Sequence, residues 1–230
     1  MTDRSFVSPA TRNRVRGLAV PIALALGRLG LTPNGLTVVG FLGTCAAAVA
    51  AAYQQWFLAG LLVLGFGIFD LFDGALARAT GRASKFGAFL DSTFDRAGET
   101  AIYLGIAAGF LAIGFREGAW LAAAAMATAF LVRYTRAKAE SLADPARAAM
   151  GDVGVMPREV RLAILGIGLL LATGPLYAVP PPGAACAGAC DIGQGGSVTA
   201  ALILISVGSA ITVIQRILHV KRQLEQQENQ

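Results

Sequence analysis

Four aspartates are placed where acidic residues are costly. They fall within 26 residues, in or beside segments that are otherwise apolar enough to cross a membrane: Asp70, Asp73, Asp91 and Asp95. A carboxylate at membrane depth costs several kcal/mol unless it is paired, hydrated or bound to a metal ion. The chain has 14 acidic residues in all, so this grouping predicts a functional site.

The spacing of the aspartates predicts a metal site. On helices, Asp70 with Asp73 and Asp91 with Asp95 would each share one face, and residues 74–86 are predicted to connect two antiparallel helices. The four carboxylates would then converge, and they could not all stay ionised without cations. Oxygen-only ligands favour Mg²⁺, Mn²⁺ or Ca²⁺. Two ions, Mg²⁺ or Mn²⁺, would suit phosphoryl transfer.

The residues between the aspartate pairs suit a phosphate substrate. Gly74 and Gly87 would allow a bulky group close to the backbone, and three cations would offset pyrophosphate charge: Arg78, Arg82 and Lys85. The alternative is a structural role, with the aspartates paired to Arg78, Arg82 or Arg96 in a non-catalytic scaffold.

Composition places these residues in a membrane protein. The chain has 230 residues, of which 55% are hydrophobic and 14% charged, with mean hydropathy +0.61, whereas soluble domains carry about 25% charged residues. A spanning helix needs about 20 apolar residues. We predict an all-α integral membrane protein with six spans near residues 35–53, 57–77, 88–113, 118–140, 159–176 and 197–218.

The flanking segments complete a single catalytic domain. Residues 9–29 predict an amphipathic helix at the membrane interface, within a juxtamembrane region 1–30, and nothing there resembles a cleavable signal peptide. Residues 31–220 would form the six-helix catalytic bundle, and 221–230 a polar tail.

Charge sets the orientation. The net charge is +5, and nearly every Lys and Arg falls on the side of both termini and the aspartates, whereas the other side has Arg116 alone. The positive-inside rule therefore predicts a plasma-membrane protein with cytoplasmic termini and active site. No basic groove-reading element indicates nucleic acid. Cys186 and Cys190 would lie outside, where the sequence leaves a disulfide open.

The aspartate region resembles a known signature. The pattern D-x2-D-G-x2-A-R-x8-G-x3-D-x3-D is met in full between Asp70 and Asp95, and it is similar to that of the CDP-alcohol phosphotransferases. Such enzymes transfer a phosphatidyl-type group from a CDP-linked lipid to an alcohol and release CMP. The resemblance also implies a homodimer as one possible assembly.

The resemblance implies roles for individual residues. Asp70 and Asp91 would bridge both metals, Asp73 would complete one metal site, and Asp95 would belong to the other and act as the proton acceptor. Residues implied to bind the CDP-lipid are Asn34, Gly35, Leu36, Thr37, Gly74, Arg78 and Ser84. Taken alone, Asn34 and Thr37 would be interpreted as helix-capping residues.

A second basic set concerns the acceptor alcohol. It comprises Arg136, Lys138, Arg158, Arg161 and Arg216, and it would suit an acceptor that carries a phosphate, although positive-inside anchoring explains it equally well. The layout resembles the phosphatidylinositol-phosphate synthase branch, which implies CDP-diacylglycerol and inositol phosphate as substrates. Phosphatidylglycerophosphate synthesis and an archaeal-type inositol-phosphate lipid synthase remain alternatives. A cation transporter is an alternative of another class.

Overall fold

The structure is a computed structural model that describes residues 20–142, 154–172 and 196–228. Every regular element in these ranges is a helix, which confirms the all-helical prediction. The helices are α1 (20–28), α2 (Pro33–Ala52), α3 (Trp56–Gly67), α4 (Phe69–Ala79), α5 (Lys85–Ala112), α6 (Arg116–Leu142), α7 (Arg158–Leu170) and α8 (Gly196–Glu228).

Six of these helices pack in a ring. Following the principal contacts, α2 packs against α5, α5 against α6, α6 against α8, α8 against α7, α7 against α3, and α3 against α2. Helix α4 packs against α2 from the end of α3. The ring therefore brings the ends of helices that are distant in sequence to one site.

Small residues permit the close packing of the ring. A Cβ on Gly105 of α5 would lie 2.1 Å from the carbonyl oxygen of Ala48 on α2, and one on Gly109 would lie 2.4 Å from that of Ala51. Small residues at helix interfaces let backbones approach closely where no hydrophobic effect drives association. The α2–α5 contact thus fixes the two helices that carry much of the site.

Within the part of the chain that the structure describes, three helical stretches are long and apolar enough to cross a membrane: Pro33–Ala52, Trp56–Ala79 and Gly196–Gln223. The outward face of α8 is apolar, with exposed Leu204, Val207, Ile211, Ile214 and Leu218. Such an extended exposed apolar surface is typical of contact with lipid rather than water.

The second predicted span differs in detail from the structure. It corresponds to two helices, because α3 ends at Gly67 and α4 begins at Phe69. Ile68 between them keeps a helical backbone (φ −73°, ψ −26°). Its carbonyl, however, accepts a hydrogen bond from the amide three residues later, Leu71 N, at 3.0 Å, and this is the tighter 3₁₀ pattern. Gly65 and Gly67 precede this irregularity, and glycine is unfavourable in a helix interior.

The predicted connection over residues 74–86 is wrong in its length. Helix α4 continues to Ala79 and α5 begins at Lys85, so the connection is 80–84. Ala75 and Leu76 are buried against Leu36 and Ala23, and this packing keeps the polar segment helical for a further turn.

The N-terminal prediction is described only in part. Residues 20–28 are helical, and a Cβ on Gly27 would lie 2.8 Å from a methyl of Leu76, so α1 packs against α4. The remainder of the predicted 9–29 helix, the loop with Cys186 and Cys190, and the end of the fifth predicted span lie outside the described residues.

Candidate active site

The beginning of α2 contributes the first polar side chain of the site. Thr32 caps the helix by accepting a hydrogen bond from Gly35 N at 3.1 Å, and Pro33 occupies the first turn, where its missing N–H costs nothing. One turn later, Thr37 Oγ1 donates to Asp73 Oδ2 at 2.7 Å. This bond joins α2 to α4 and orients Asp73, which is only 6% exposed.

The beginning of α5 brings two predicted CDP-lipid residues together. Ser84 caps this helix by accepting from Gly87 N at 3.0 Å. A Cβ on Gly87 would lie 3.1 Å from both Asn34 Oδ1 and Ser84 Oγ. Glycine at this position therefore leaves room for the Asn34 side chain, 53 residues earlier in the chain, to lie against the first turn of α5.

Arg78 lies over Gly74, which is one turn earlier on α4. A Cβ on Gly74 would be 3.2 Å from Arg78 Nη1, so the glycine leaves space for the guanidinium. Arg78 and Ser84 are exposed, outside the cleft described next.

A cleft gathers the carboxylates. It has an empty volume of about 510 Å³, part of it open to the surroundings, and lies between α2, α3, α4, α5 and α7. Its polar lining consists of Thr37, Thr44, Asp73, Asp91, Asp95, Glu99 and Arg158, and Phe41, Phe66 and Phe94 contribute apolar walls. Three of the four predicted metal ligands thus face one space. The fourth, Asp70, lies about one turn before Asp73 on α4, and its side chain is outside the described set.

The donor chemistry of this cleft fits a hard divalent cation. The facing carboxylates supply only oxygen ligands, which Mg²⁺ and Mn²⁺ prefer. Among the side chains that the structure describes, no group of three Asp, Glu, His or Cys residues is arranged to hold a metal ion. The residues that would hold such an ion are Asp73, Asp91 and Asp95, with Asp70 as a further donor on the same helix as Asp73.

Asp95 contacts arginines from two other helices. Arg158 Nη2, at the start of α7, lies 2.5 Å from Asp95 Oδ1. Arg133 Nη1, on α6, lies 3.8 Å from Asp95 Oδ2. The carboxylate predicted to accept a proton is therefore held between two cations.

The ion pairs continue one turn deeper along α5. Arg161 forms a bidentate pair with Glu99, with Nε to Oε1 at 2.7 Å and Nη2 to Oε2 at 2.9 Å. Arg133 Nε lies 3.6 Å from Glu99 Oε2. Arg161 is 1% and Glu99 7% exposed, so this pair is buried in the bundle.

The predicted acceptor-binding residues do not share one surface. Arg136 and Lys138 are exposed near the end of α6. Arg216 is buried and donates through Nη1 to the carbonyl of Val132, which links α8 to α6. Arg158 lines the cleft and Arg161 does not. The phosphate-binding role of all five stays a prediction.

Two charged residues of this site were missed in the sequence. Glu99 follows Asp95 by four residues, as Asp95 follows Asp91, and this spacing on one helix face was the signal for it. Arg133 interrupts an apolar run one turn before Arg136. Its role depends on the α5–α6 contact, which no local pattern reveals.

The comparison with protein families decides the class. Residues 30–214 match the family described as CDP-alcohol phosphatidyltransferase. The chain belongs to this family. It is accordingly an enzyme of the CDP-alcohol phosphatidyltransferase class, as the aspartate signature indicated.

Named relatives extend over nearly the whole chain of this phosphatidyltransferase. An archaetidylinositol phosphate synthase from Pyrococcus horikoshii is 34% identical over 215 residues, covering 93% of this chain and 96% of the relative. A phosphatidylinositol phosphate synthase from Cutibacterium acnes is 37% identical over 208 residues, covering 89% and 93%.

Solved structures agree with the fold. Mycobacterium tuberculosis phosphatidylinositol phosphate synthase with CDP-DAG bound superposes with a TM-score of 0.69 at 30% identity, covering 88% of this chain and 92% of that one. Its complex with manganese and citrate has a TM-score of 0.68 at 30% identity, covering 88% of each chain.

Proposed function

We propose that this phosphatidyltransferase joins a CDP-linked lipid, CDP-diacylglycerol, to inositol phosphate and releases CMP in a metal-dependent reaction. Arg158 lies in the same cleft as Asp73, Asp91 and Asp95, and this observation carries the acceptor assignment. A cation beside the predicted base suits an alcohol that itself carries a phosphate. The names of the Cutibacterium and Mycobacterium relatives support the same substrates.

The metal ligands in this proposal are Asp70, Asp73, Asp91 and Asp95. Two ions, Mg²⁺ or Mn²⁺, would neutralise pyrophosphate charge and polarise the phosphoryl oxygens. The manganese complex of the Mycobacterium relative supports a divalent cation. Thr37 would fix the rotamer of Asp73, because a hydrogen-bonded ligand keeps its orientation.

The CDP moiety would bind where α2, α4 and α5 begin or meet. Asn34, Ser84 and Gly87 already lie together, and the N-terminus of a helix favours phosphate groups. Arg78 over Gly74 would face the nucleotide from α4, with Gly35 and Leu36 in the first turns of α2. The lipid chains would stay beside the apolar outer surface of the bundle.

In the reaction, a hydroxyl of inositol phosphate attacks the β-phosphorus of the CDP-lipid. The new P–O bond forms as the bond between the β-phosphorus and the bridging oxygen of CMP breaks, and the electron pair leaves on CMP. Asp95 accepts the hydroxyl proton. Arg158, 2.5 Å from Asp95 in the structure, orients the acceptor phosphate so that the hydroxyl lies near this carboxylate.

The proposed membrane topology suits one substrate from the lipid bilayer and one from the cytoplasm. We infer six spans, formed by α2, α3 with α4, α5, α6, α7 and α8, with the N-terminal helix at the interface and both termini in the cytoplasm of a plasma-membrane protein. The ring of helices supports this arrangement, as does the positive-inside rule. A homodimer is part of the proposal, and cross-linking in membranes tests it.

An acceptor panel tests the proposed function. Purified protein with CDP-diacylglycerol and Mg²⁺ should release CMP with inositol phosphate, and not with inositol, glycerol or serine. Asp95→Asn protein, with its helical content checked by circular dichroism, serves as the blank. Release with glycerol phosphate alone would instead establish phosphatidylglycerophosphate synthesis. Metal binding without CMP release for any acceptor would favour a transporter.

The Pyrococcus relative favours a second lipid donor. Its name specifies an archaetidyl product, so the panel is repeated with CDP-linked archaeol. A preference for this donor of about tenfold or more, a difference of about 1.4 kcal/mol, would assign the archaeal-type lipid and leave the acceptor unchanged.

A further inference from the structure

We propose that Arg161 is a positioning residue. Paired with Glu99, it fixes the segment 154–157 that aims Arg158 into the cleft, and it does not itself contact the acceptor phosphate. This inference rests on the proposed function for the identity of the acceptor. The contacts around Arg161 are independent of that assignment.

The burial of Arg161 argues against direct contact with substrate. Its side chain is 1% exposed, whereas Arg158, three residues earlier, lines the cleft. Its Nε and Nη2 are committed to Glu99 at 2.7 and 2.9 Å. A phosphate could reach this guanidinium only by breaking a buried bidentate pair, which would leave the Glu99 carboxylate uncompensated.

The third nitrogen of Arg161 reaches the segment before α7. Its Nη1 donates to the carbonyl of Met156 at 3.0 Å. The amide of the same residue donates to Thr212 Oγ1 on α8, also at 3.0 Å. Met156 is therefore held on both sides of its backbone, by α7 through Arg161 and by α8 through Thr212.

Close packing adds to these two bonds. Gly154 has φ +126°, which side chains rarely adopt, and a Cβ there would lie 2.2 Å from a methyl of Thr212. Gly208 of α8 accommodates the Met156 side chain, since a Cβ on it would lie 2.1 Å from Met156 Cε. The segment 154–157, which immediately precedes Arg158, therefore packs closely against α8.

The fixed segment determines where Arg158 points. Pro157 caps α7 with an extended backbone (φ −67°, ψ 167°), and Arg158 is the first helical residue. Arg158 then reaches Asp95 at 2.5 Å, and Glu99, which holds Arg161, lies one turn further along the same α5 face. The two arginines of α7 therefore form ion pairs with adjacent turns of α5. Arg158 does so in the cleft, and Arg161 does so beneath it.

The test compares Glu99→Gln and Arg161→Met with matched exposed controls, Glu117→Gln and Arg222→Met. Both test variants should raise KM for inositol phosphate by about tenfold or more, which is comparable to the loss of activity when residues that orient a metal ligand are removed. The KM for the CDP-lipid should change less, and the controls should match wild type. If Arg161 bound phosphate directly, Glu99→Gln would leave the acceptor KM unchanged or lower it, and the proposal would be overturned.

A double-mutant cycle identifies the residue through which the pair acts. In an Arg158→Ala background the effect of Glu99→Gln on acceptor KM should fall to less than about threefold, because residues acting through one another are not additive. An undiminished effect in that background would contradict positioning through Arg158.

Two further measurements separate positioning from folding and from the proposed function. The double variant Glu99→Leu/Arg161→Met replaces a buried ion pair with apolar groups, which preserves stability in other proteins. It should keep the wild-type Tm yet retain the raised acceptor KM, and a return to wild-type KM would mean that the pair serves stability alone.

Hydrogen exchange at Met156 is measured without any substrate. Its amide should exchange at least about tenfold faster in Arg161→Met and in the double variant, since one anchor of the segment is lost. Unchanged exchange would overturn the positioning role. If wild type fails to use inositol phosphate while exchange responds as expected, the proposed function fails and the positioning role stands.

Discussion

Arg158 and Asp95 meet at 2.5 Å, although they belong to the beginning of α7 and the third turn of α5. The pair joins two predicted functions, acceptor-phosphate binding and proton acceptance, at one point of the cleft. Arg133 approaches the other oxygen of the same carboxylate at 3.8 Å. An anion attracted to Arg158 would therefore arrive beside Asp95 with its hydroxyls near the predicted base.

Asp91→Asn should abolish turnover and weaken metal binding. The amide removes a negative oxygen from the position predicted to bridge both ions. We expect CMP release to fall more than about 100-fold, beyond the usual effect of residues that only support ligands. Mn²⁺ titration followed by electron paramagnetic resonance measures the affinity. Near-full activity in this variant would contradict the assignment of Asp91 as a metal ligand.

Removal of divalent cations should stop the reaction. Treatment with EDTA should eliminate CMP release, and added Mg²⁺ or Mn²⁺ should restore it, because the cleft offers oxygen donors only. Activity that persists in excess chelator would exclude the proposed metal chemistry. Circular dichroism before and after treatment controls for loss of structure.

Thr37→Val should weaken Mn²⁺ binding about 10- to 100-fold. The substitution keeps the side-chain shape and removes the hydroxyl that holds Asp73 Oδ2 at 2.7 Å, and such supporting bonds affect metal affinity by this amount. Thr37→Ser, which keeps the donor, is the matched control. Affinity is measured without CDP-lipid, so that any role of Thr37 in nucleotide binding does not enter. Equal affinities for all three proteins would argue against this orienting role.

Arg216→Ala should raise the apparent KM for the phosphorylated acceptor more than that for the CDP-lipid. Arg216 is buried and donates to the Val132 carbonyl. The next residue, Arg133, contacts Asp95. Steady-state kinetics with each substrate varied in turn gives the two constants. An equal change in both would indicate that the residue serves the α6–α8 contact and no acceptor pocket.

Gly105→Ala should destabilise the bundle. Its Cβ would lie 2.1 Å from the Ala48 carbonyl oxygen, and overpacking of this kind typically costs about 1–3 kcal/mol. Gly65→Ala is the matched control, since nothing lies within 4 Å of the added atom. Thermal unfolding in detergent should show a lower Tm for Gly105→Ala alone. A wild-type Tm would mean that α2 and α5 can move apart at little cost.

The aspartate cluster could be predicted because its information is local. Asp91 and Asp95 are four residues apart on one helix, and a helix converts that spacing into a shared face. The apolar runs likewise indicate helices, since a chain in lipid must satisfy its own backbone hydrogen bonds. The length of the connection at 80–84 escaped prediction, because burial of Ala75 and Leu76 against α1 and α2 overrides the polar composition.

The sequence by itself determined the all-helical fold, the phosphotransferase signature and the donor chemistry of the site. These depend on residue type and on spacing within single helices. Only the tertiary structure decided that Arg158 lies in the cleft while Arg161 is buried against Glu99. Both arginines open the same helix and look alike in the sequence. Their environments differ because α7 packs between α3 and α8, and the direction in which each side chain leaves α7 then determines what it meets.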